Sequence, residues 1–428
     1  MRIKWILTIV FISLFFKAGT VLARQPELQG PPQNETTIYL PLVMRSLPLP
    51  PPDEADQRLT LPDGFAIRIY AQGINGAPRF MTIGPDGHLY VSLFGSGQIA
   101  RLPDRNLDGL ADGIEIIASG LSGPHGIEFN GAYLYVASIG KVERLPGPDG
   151  NGAFGPKELV TDKIPGSGGH STRTLHFGPD GKLYVSAGSS CNFCVETDPR
   201  RAAILRFNPD GTIPADNPFA NDPVADKRPV WAYGLRNSVD FLWSPGGQLW
   251  ADHMGSDALG DDIPPEEIVI PVQKGLSHGW PYCYTPTLGV NNAAEVRDDR
   301  LELPSGFTCD QAVAAKFTAP AHSAPLGMTL GSGSNFPPAY RSSLYVAFHG
   351  SWNTTAASIR DCKVERVILE NGQPVGSETF ASGWRAPGET CGAAATYGRP
   401  ADVFFGPRGE MFISDDKSGR VYRVIYQP

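Results

Sequence analysis

Arginine and histidine recur at matching places in five segments of the chain. Each lies shortly before an apolar stretch that ends in a glycine-containing turn, and the set is Arg79, His125, His170 with Arg173, Arg236 with Asn237, and Arg399. If the fold gathers these positions, they form a basic pocket in a chain of formal charge −8. Because arginine donates paired hydrogen bonds to carboxylates and phosphates, such a pocket would suit a ligand with several anionic groups. For any single residue, the alternative is a structural ion pair with a neighbouring Asp or Glu.

A second group of polar residues lies between positions 104 and 112. Asp104, Asn106, Asp108 and Asp112 alternate around Gly109, as oxygen ligands do in calcium-binding loops. The segment lacks the bidentate Glu of a complete EF-hand loop, so a polar surface loop explains it equally well. A calcium ion bound here would be structural and would lie at the rim of the fold.

The elements that carry the basic residues belong to an internal repeat. Residues 84–92 (GPDGHLYVS) recur as residues 178–186 (GPDGKLYVS). Weaker copies lie at 131–138, 245–252, 344–348 and 406–414. Each copy predicts two short strands joined by a tight turn, because Pro presets φ and Gly accepts positive φ. A further strand follows several copies, at 97–102, 140–145 and 419–424 and more loosely at 204–207.

Six repeats of this kind predict an all-β, six-bladed β-propeller with long inter-blade loops, since radial packing leaves only short sheet edges. A β-sandwich with internal duplication is the alternative. The strand at 65–70 precedes the first repeat, and we expect it to pair with residues 420–425 and close the ring. The basic residues would then meet at one end of the central channel. The first two spacings between copies are 45 and 49 residues, but Trp250 and Tyr345 are 95 apart, which predicts a long excursion at about 257–325.

Composition agrees with this architecture. The 49 glycines and 40 prolines among 428 residues disfavour long helices. Hydrophobic residues make up 41% of the chain, which excludes wholesale disorder. The acidic balance also excludes a typical nucleic-acid-binding surface.

The amino terminus predicts export. Arg2 and Lys4 precede an apolar run at 5–16 and a small-residue exit, so residues 1–23 read as a signal peptide cleaved after Ala23. An uncleaved anchor is the alternative, but the run is short for a span. Cleavage would change the formal charge from −8 to −11. We expect a secreted, periplasmic or cell-surface protein, with a Pro-rich tether at 24–60, a propeller domain at 61–428 and no later membrane span.

Six cysteines in an exported chain predict disulfides. Proximity in the sequence favours Cys191–Cys194, Cys283–Cys309 and Cys362–Cys391 among the 15 pairings that six cysteines allow. The CxxC at 191–194 could instead be a redox or metal motif. No second CxxC or His pair accompanies it, which favours a loop staple.

Three motifs carry a family resemblance: GHSTR at 169–173, GLRNS at 234–238 and KGLSHGWPY at 274–282. They resemble the soluble glucose/sorbosone dehydrogenase family, whose members are six-bladed propellers that use pyrroloquinoline quinone (PQQ) and calcium. The resemblance covers about residues 61–428. It is greatest to the sorbosone dehydrogenase branch, through residues 191–194, 259–267, 349–353 and 398–403.

The resemblance implies residue roles. His170 matches the family's general base, and Arg236 matches the arginine that holds the quinone oxygens and stabilises the reduced cofactor. Asn237 matches a cofactor contact, and Arg399 matches an arginine that binds a cofactor carboxylate. His349 lies near the expected place of the family's cofactor lysine.

Other positions follow or depart from the family pattern. Gly255 and Ser256 match the backbone carbonyls that bind calcium. Ser189 stands where the family has the carboxylate that orients the base. Val239, Gly169 and Ala401 replace a Gln, an Asp and a second Arg of the glucose-oxidising members. His125 and His349 are rival bases, whereas His176 is expected to be a packing or surface residue.

The sequence therefore predicts a secreted quinoprotein oxidoreductase that oxidises a sugar or a related alcohol or aldehyde by hydride transfer to PQQ. Its partners would be this small-molecule substrate and an external electron acceptor, and not nucleic acid. One alternative is a non-catalytic carbohydrate-binding or surface propeller. Another is a calcium-dependent lactonase, which needs carboxylates and Asn around an axial metal where this chain carries Arg and His.

Overall fold

Short strands separated by glycine and proline turns form six antiparallel sheets of four or five strands each in the computed structural model, which describes residues 47–427. The sheets are the blades of a β-propeller, as the repeat predicted. The repeated turn forms because of its glycine. Gly87 and Gly181 have φ angles of 78° and 68°, which other residues rarely adopt. The predicted signal peptide and residues 24–46 lie outside the described residues.

The first half of the chain builds three blades, and each blade's first-named strand lines the central channel. Blade one comprises Pro78–Ile83, Leu89–Leu93, Gln98–Leu102 and Glu115–Ala118, blade two Ile127–Asn130, Tyr133–Ser138, Lys141–Pro146 and Glu158–Thr161, and blade three Leu175–Phe177, Leu183–Ala187, Ala203–Phe207 and Val230–Tyr233.

The second half builds the other three. Blade four comprises Phe241–Trp243, Leu249–His253, Glu266–Pro271 and Phe317–Ala319 with Gly289–Val290 at its edge, blade five Pro325–Leu330, Ser343–Phe348, Lys363–Glu370 and Gln373–Ala381, and blade six Pro400–Phe405, Met411–Asp415, Arg420–Tyr426 and Phe65–Gln72. A separate pair joins Cys283–Tyr284 to Val296–Arg297. The helices are short: α-helices at Glu54–Arg58 and Pro338–Arg341, and 3-10 turns at Ala225–Lys227, Cys309–Gln311, Gly331–Gly333 and Ala356–Ser358.

The ring closes as predicted. The strand Phe65–Gln72 pairs antiparallel with Arg420–Tyr426, so the start of the propeller completes the last blade. The second strand of each blade packs between neighbouring blades, and Leu89–Leu93 and Leu183–Ala187 are buried at every position. Burial on both faces accounts for their continuous rather than alternating apolar character.

Residues 47–60, which the sequence assigned to the tether, instead pack on blade six. Asp53 caps the helix Glu54–Arg58 by accepting from Ala55 N, and Ala55 and Leu59 join the hydrophobic core of that blade. Arg68 Nε donates to Pro50 O at 2.9 Å. The propeller unit therefore begins near residue 46, and the tether remains a prediction for the residues before it.

Three strands of blade four lie within the predicted excursion at 257–325: Glu266–Pro271, Gly289–Val290 and Phe317–Ala319. All three predicted disulfides are confirmed: Cys191–Cys194, Cys283–Cys309 and Cys362–Cys391. In the part of the chain that the structure describes, no helix combines the length and apolar character needed to cross a bilayer.

Candidate active site

The inner strands of four blades place an apolar layer across the channel. Phe80, Val239, Leu326 and Ala401 are buried and in contact, with Met254 packed against them. Arg79 and Arg399 come one and two residues before members of this layer, and Asn237 comes two before Val239. Arg79, Asn237 and Arg399 therefore lie next to this buried apolar layer.

His170 is held as one tautomer. Its Nδ1 lies 2.8 Å from Ser189 Oγ and 3.2 Å from Ser189 O. The Ser189 hydroxyl hydrogen is already donated to Cys191 O at 2.7 Å, so both Ser189 oxygens act as acceptors and Nδ1 must carry the hydrogen. Nε2 has no hydrogen-bond partner among residues 47–427 and keeps its lone pair. Burial and the charge of Arg236 lower the pKa of His170 to about 4, so the ring is neutral at pH 7.

Arg236 lies buried on the same side of the channel. Its Nε and Nη2 donate to the backbone and side-chain oxygens of Asn192, each at 2.8 Å, and Nη2 also donates to Asp257 Oδ2 at 3.2 Å. Nη1 makes a longer contact of 3.3 Å with Met254 O. These four bonds leave one N–H of Nη1 without a partner in the described chain, since a guanidinium carries five.

Asn237 and His170 meet at Gly188. A Cβ at Gly188 would lie 2.5 Å from the His170 Cβ and 2.7 Å from Asn237 Oδ1, so only glycine permits this approach. Asn237 Nδ2 lies 3.4 Å from Met254 Sδ. The structure thus brings together His170, Arg236 and Asn237, as the motifs predicted.

A second basic cluster comes from blades one, five and six. Asp416 accepts from Arg79 Nη2 at 2.7 Å and from His349 Nε2 at 2.9 Å. Arg399 Nε donates to His349 O at 2.9 Å. Arg399 forms no salt bridge within the described residues, and its Nη1 has no partner there. Arg79 therefore forms a structural ion pair, the alternative that the sequence analysis had left open. Arg399 keeps Nη1 available for an anionic ligand.

Arg173 and His125 turn away from the pocket. Arg173 donates to the backbone oxygens of His170 and Pro165, both at 2.8 Å, and so braces a loop. His125 has no exposed surface, packs on the Phe80 ring with centroids 4.3 Å apart, and contacts Thr174 Oγ1 at 3.1 Å. A substrate hydroxyl cannot reach it, which removes His125 as a rival base.

His176 is neither a plain packing residue nor a surface residue, which corrects the expectation. Its Nδ1 and Nε2 each lie 2.9 Å from a carboxylate, Glu128 Oε2 and Asp240 Oδ1. Glu128 and His176 lie on the inner strands of blades two and three, and Asp240 immediately precedes the inner strand of blade four. Burial alone would lower the pKa of His176, but the hydrogen bonds to Asp240 and Glu128 outweigh it and raise the pKa to about 10. The imidazolium therefore joins three blades within the channel wall.

Known proteins share the sequence pattern and the fold of this chain. A family model described as TrAA12-like matches residues 59–427. The chain belongs to the TrAA12-like family. The aldose sugar dehydrogenase YliI of Escherichia coli is 26% identical over 266 residues, 60% of each chain.

Two solved structures share the fold of this TrAA12-like chain. The holo form of the pyranose dehydrogenase PQQ domain from Coprinopsis cinerea superposes with a TM-score of 0.69 at 20% identity, covering 86% of this chain and 97% of that one. The calcium structure of the Trichoderma reesei family AA12 enzyme has the same TM-score at 21% identity, with coverages of 86% and 97%.

In this TrAA12-like chain the two residues proposed for calcium lie beside Arg236. Their backbone carbonyl oxygens, in Gly255 and Ser256, accept no hydrogen bond from residues 47–427. Gly255 N donates to Glu266 Oε2 at 2.8 Å, and Ser256 Oγ accepts from Arg300 at 2.5 Å. Two adjacent free carbonyls are suitable ligands for a hard cation.

The loop at 104–112 holds its acidic groups apart. Asp104 Oδ2 accepts from Gly109 N and from Arg408, both at 3.1 Å, and Asp112 Oδ2 accepts from the Arg105 N at 2.8 Å. Asp108 bonds within its own turn, to Asn106 and Leu110 N. In the described part of the chain, Asp104, Asp108 and Asp112 are not among the groups whose ligand atoms converge within 4.8 Å. Calcium binding by this loop stays a prediction.

Three site residues of this family member were missed from the sequence. Asn192 and Asp257 bind Arg236, and Asp416 binds Arg79 and His349. Asp257 also contacts His322 at 3.3 Å and accepts from Asn353 at 2.6 Å. The one available signal was position: Asn192 lies inside the CxxC, Asp257 opens the predicted excursion and Asp416 follows the last repeated hairpin.

Proposed function

We propose that this chain is a quinoprotein oxidoreductase that oxidises a hydroxyl of a sugar or a related alcohol or aldehyde, with PQQ as the cofactor. The observation that carries the proposal is a neutral His170 with a free Nε2 lone pair beside the buried guanidinium of Arg236. The activities of two relatives, an aldose sugar dehydrogenase and a pyranose dehydrogenase, support the substrate class.

The residues present fit a planar cofactor with several carboxylates. Arg399 Nη1 and one N–H of Arg236 Nη1 lack partners in the described chain, and the buried apolar layer of Phe80, Val239, Leu326 and Ala401 lies next to Arg399 in the chain. Arg236, Asn237, Arg399 and His349 would hold PQQ. When bound, PQQ supplies the electron-pair acceptor for the hydride of the substrate C–H bond.

His170 performs the proton transfer of this reaction. Its Nε2 accepts the substrate hydroxyl proton while the adjacent C–H bonding pair leaves as hydride, so the alcohol becomes a carbonyl. Ser189 keeps the Nδ1 hydrogen in place throughout. Arg236 would place its positive charge near the reduced cofactor. A buried cation stabilises the negative charge of that group more strongly than a solvated cation does.

The carbonyl oxygens of Gly255 and Ser256 would hold Ca²⁺, which would supply Lewis acidity to the site when bound. The Trichoderma reesei relative has been solved in a calcium form. Reconstitution with PQQ and Ca²⁺ and dye-linked assay of a sugar panel tests the whole proposal. Absence of PQQ binding at micromolar concentration would instead favour the carbohydrate-binding alternative.

Replacement of Arg236 by alanine is expected to weaken PQQ binding by about 10- to 150-fold, because a hydrogen bond to a charged group contributes about 1.5–3 kcal/mol. Equilibrium titration of the apoprotein with PQQ measures this change. Arg105→Ala is the matched control, since Arg105 lies on the rim with half of its side chain exposed. An unchanged PQQ affinity in Arg236→Ala would show that this arginine is structural.

The pH dependence of kcat/KM should reflect the lowered pKa of His170. A base works in its neutral form, which His170 adopts above its pKa of about 4. The acid limb of the profile should therefore lie near pH 4 and not near 6.5, the value of an unperturbed histidine. Turnover measured from pH 3.5 to 8 with a pH-insensitive dye checks this. An acid limb near 6.5 would contradict the assignment.

We also propose that the chain is exported and delivers its electrons to an external acceptor. The basic start, apolar run and small-residue exit of residues 1–23 support this localisation. Amino-terminal sequencing of the mature protein should begin at Arg24.

A further inference from the structure

The disulfide loop 191–194 contacts Arg236 directly and His170 through Ser189. Cys191 and Cys194 are bonded with their Cα atoms 6.2 Å apart. The loop lies between the base and the buried arginine, and it supplies acceptors to the hydrogen-bond chains of both.

On the side of the base, the loop acts through Ser189. Cys191 O accepts the Ser189 hydroxyl hydrogen at 2.7 Å, which leaves the hydroxyl oxygen as an acceptor for His170 Nδ1–H. If Cys191 O moved away, the hydroxyl could rotate and donate to the imidazole instead, leaving only the longer 3.2 Å contact with Ser189 O to hold the hydrogen on Nδ1. The imidazole would then be free to place its hydrogen on Nε2, the atom that must be unprotonated for catalysis.

On the side of the arginine, the loop acts through Asn192. Its backbone and side-chain oxygens accept from two nitrogens of Arg236, each at 2.8 Å. The side-chain oxygen also accepts from Asp257 N at 2.8 Å. Asn192 therefore fixes the guanidinium plane against the segment that carries the free carbonyls of Gly255 and Ser256.

The loop is anchored at both of its ends. Ser190 Oγ donates to Glu196 Oε2 at 2.9 Å, and Ser190 O accepts from Gly169 N at 2.8 Å. Phe193 lies beneath the Arg300 guanidinium at 3.9 Å, and Arg300 donates to Asp257 O at 2.9 Å. The disulfide closes a short loop between these anchors, so the directions of the Cys191 and Asn192 carbonyls are fixed together.

We propose that the disulfide loop 191–194 is a shared positioning element that sets the tautomer of His170 through Cys191 O and Ser189 and fixes Arg236 through Asn192. This role rests on the proposed function. The disulfide would then do more than stabilise a loop, because one covalent bond constrains the positions of both His170 and Arg236.

The test is carried out on the cofactor-free protein. Protein labelled with ¹⁵N-histidine contains eight histidines, and the His170 signals are assigned by their loss in His170→Gln. In the wild type, Nδ1 should show the shift of a protonated nitrogen and Nε2 that of an unprotonated one, with titration near pH 4. In Cys191→Ser/Cys194→Ser, we expect a mixture of tautomers and a titration midpoint displaced towards 6.5.

A matched control removes a different disulfide. Cys283→Ser/Cys309→Ser also deletes one disulfide and should leave both His170 signals unchanged. Asn192→Ala keeps the disulfide and removes only the side-chain acceptor; it should keep the tautomer, raise the His170 midpoint as Arg236 gains freedom, and weaken PQQ binding about tenfold. If the loop disulfide proves necessary for folding, this variant still tests the contact with Arg236, and Ser189→Ala, which removes the hydroxyl between Cys191 O and His170, should give the mixture of tautomers.

The outcomes separate this inference from the proposed function. A single wild-type tautomer and midpoint in Cys191→Ser/Cys194→Ser, or unchanged PQQ affinity and midpoint in Asn192→Ala, would overturn the positioning role. Failure of the wild type to bind PQQ would overturn the proposed function, while the nuclear magnetic resonance readout would still report on the loop.

Discussion

Replacement of His170 by alanine is expected to lower the rate of the chemical step by about 10²–10⁴-fold while PQQ still binds. The magnitude is that of removing a general base that is placed beside the proton it accepts. At the pocket, His170 combines a fixed Nδ1–H with an Nε2 that has no hydrogen-bond partner among residues 47–427, and it lies in the loop that precedes the inner strand of blade three. Single-turnover reduction of PQQ by substrate measures this step directly, and PQQ titration checks binding separately.

The controls for this prediction are the other histidines. His88 lies in the outer turn of blade one, so His88→Ala should keep full activity. His349→Ala should weaken PQQ binding more than it slows the chemical step, since the His349 imidazole is bonded to Asp416, which also pairs with Arg79 and lies near Arg399. Near-normal turnover in His170→Ala together with lost turnover in His349→Ala would show that the assignment of the base is wrong.

The fold was readable from the sequence because its information is local and repeated. The Pro-Asp-Gly turn and its flanking alternating strands recur, and each copy specifies a hairpin without help from distant residues. The pairing of Phe65–Gln72 with the last strand followed from a strand that otherwise had no partner. The segment at 47–60 was misjudged because its prolines suggest an extended tether, whereas Ala55 and Leu59 are buried by contacts with blade six.

The site was only half readable, for a physical reason. Motifs identified His170, Arg236 and Asn237, but the direction of a side chain depends on partners that are remote in sequence. Asp257 lies 21 residues from Arg236 and Asp416 lies 67 from His349, so neither pairing leaves a local pattern. Arg173 shares a motif with His170 yet turns to backbone carbonyls. The position of each residue in the propeller repeat predicted which side chains approach the channel axis. It did not predict which of them keep a hydrogen-bonding group without a partner.

His176 carries the second large prediction, and it concerns stability. Replacement by alanine is expected to lower the free energy of unfolding at pH 7 by about 1.5–3 kcal/mol, because the half-buried imidazolium makes charge-assisted hydrogen bonds to two carboxylates. Asp240 is almost fully buried, with 3% of its side chain exposed, and it would face Glu128 without the intervening cation. Urea unfolding followed by circular dichroism measures the change, with His88→Ala as the control. Turnover of the folded variant should stay close to wild type.

The pH dependence identifies the origin of this stability. The folded-state pKa of His176, about 10, lies above the unfolded value of 6.5, so the bound proton stabilises the folded state fully below pH 6.5. This contribution declines as the pH rises from 6.5 through 10 and the imidazolium loses its charge. The difference in unfolding free energy between wild type and His176→Ala should therefore be large at pH 6.5 and much smaller at pH 10. A difference that stays constant across this range would assign the effect to lost packing among the three inner strands, and not to the charge that joins them.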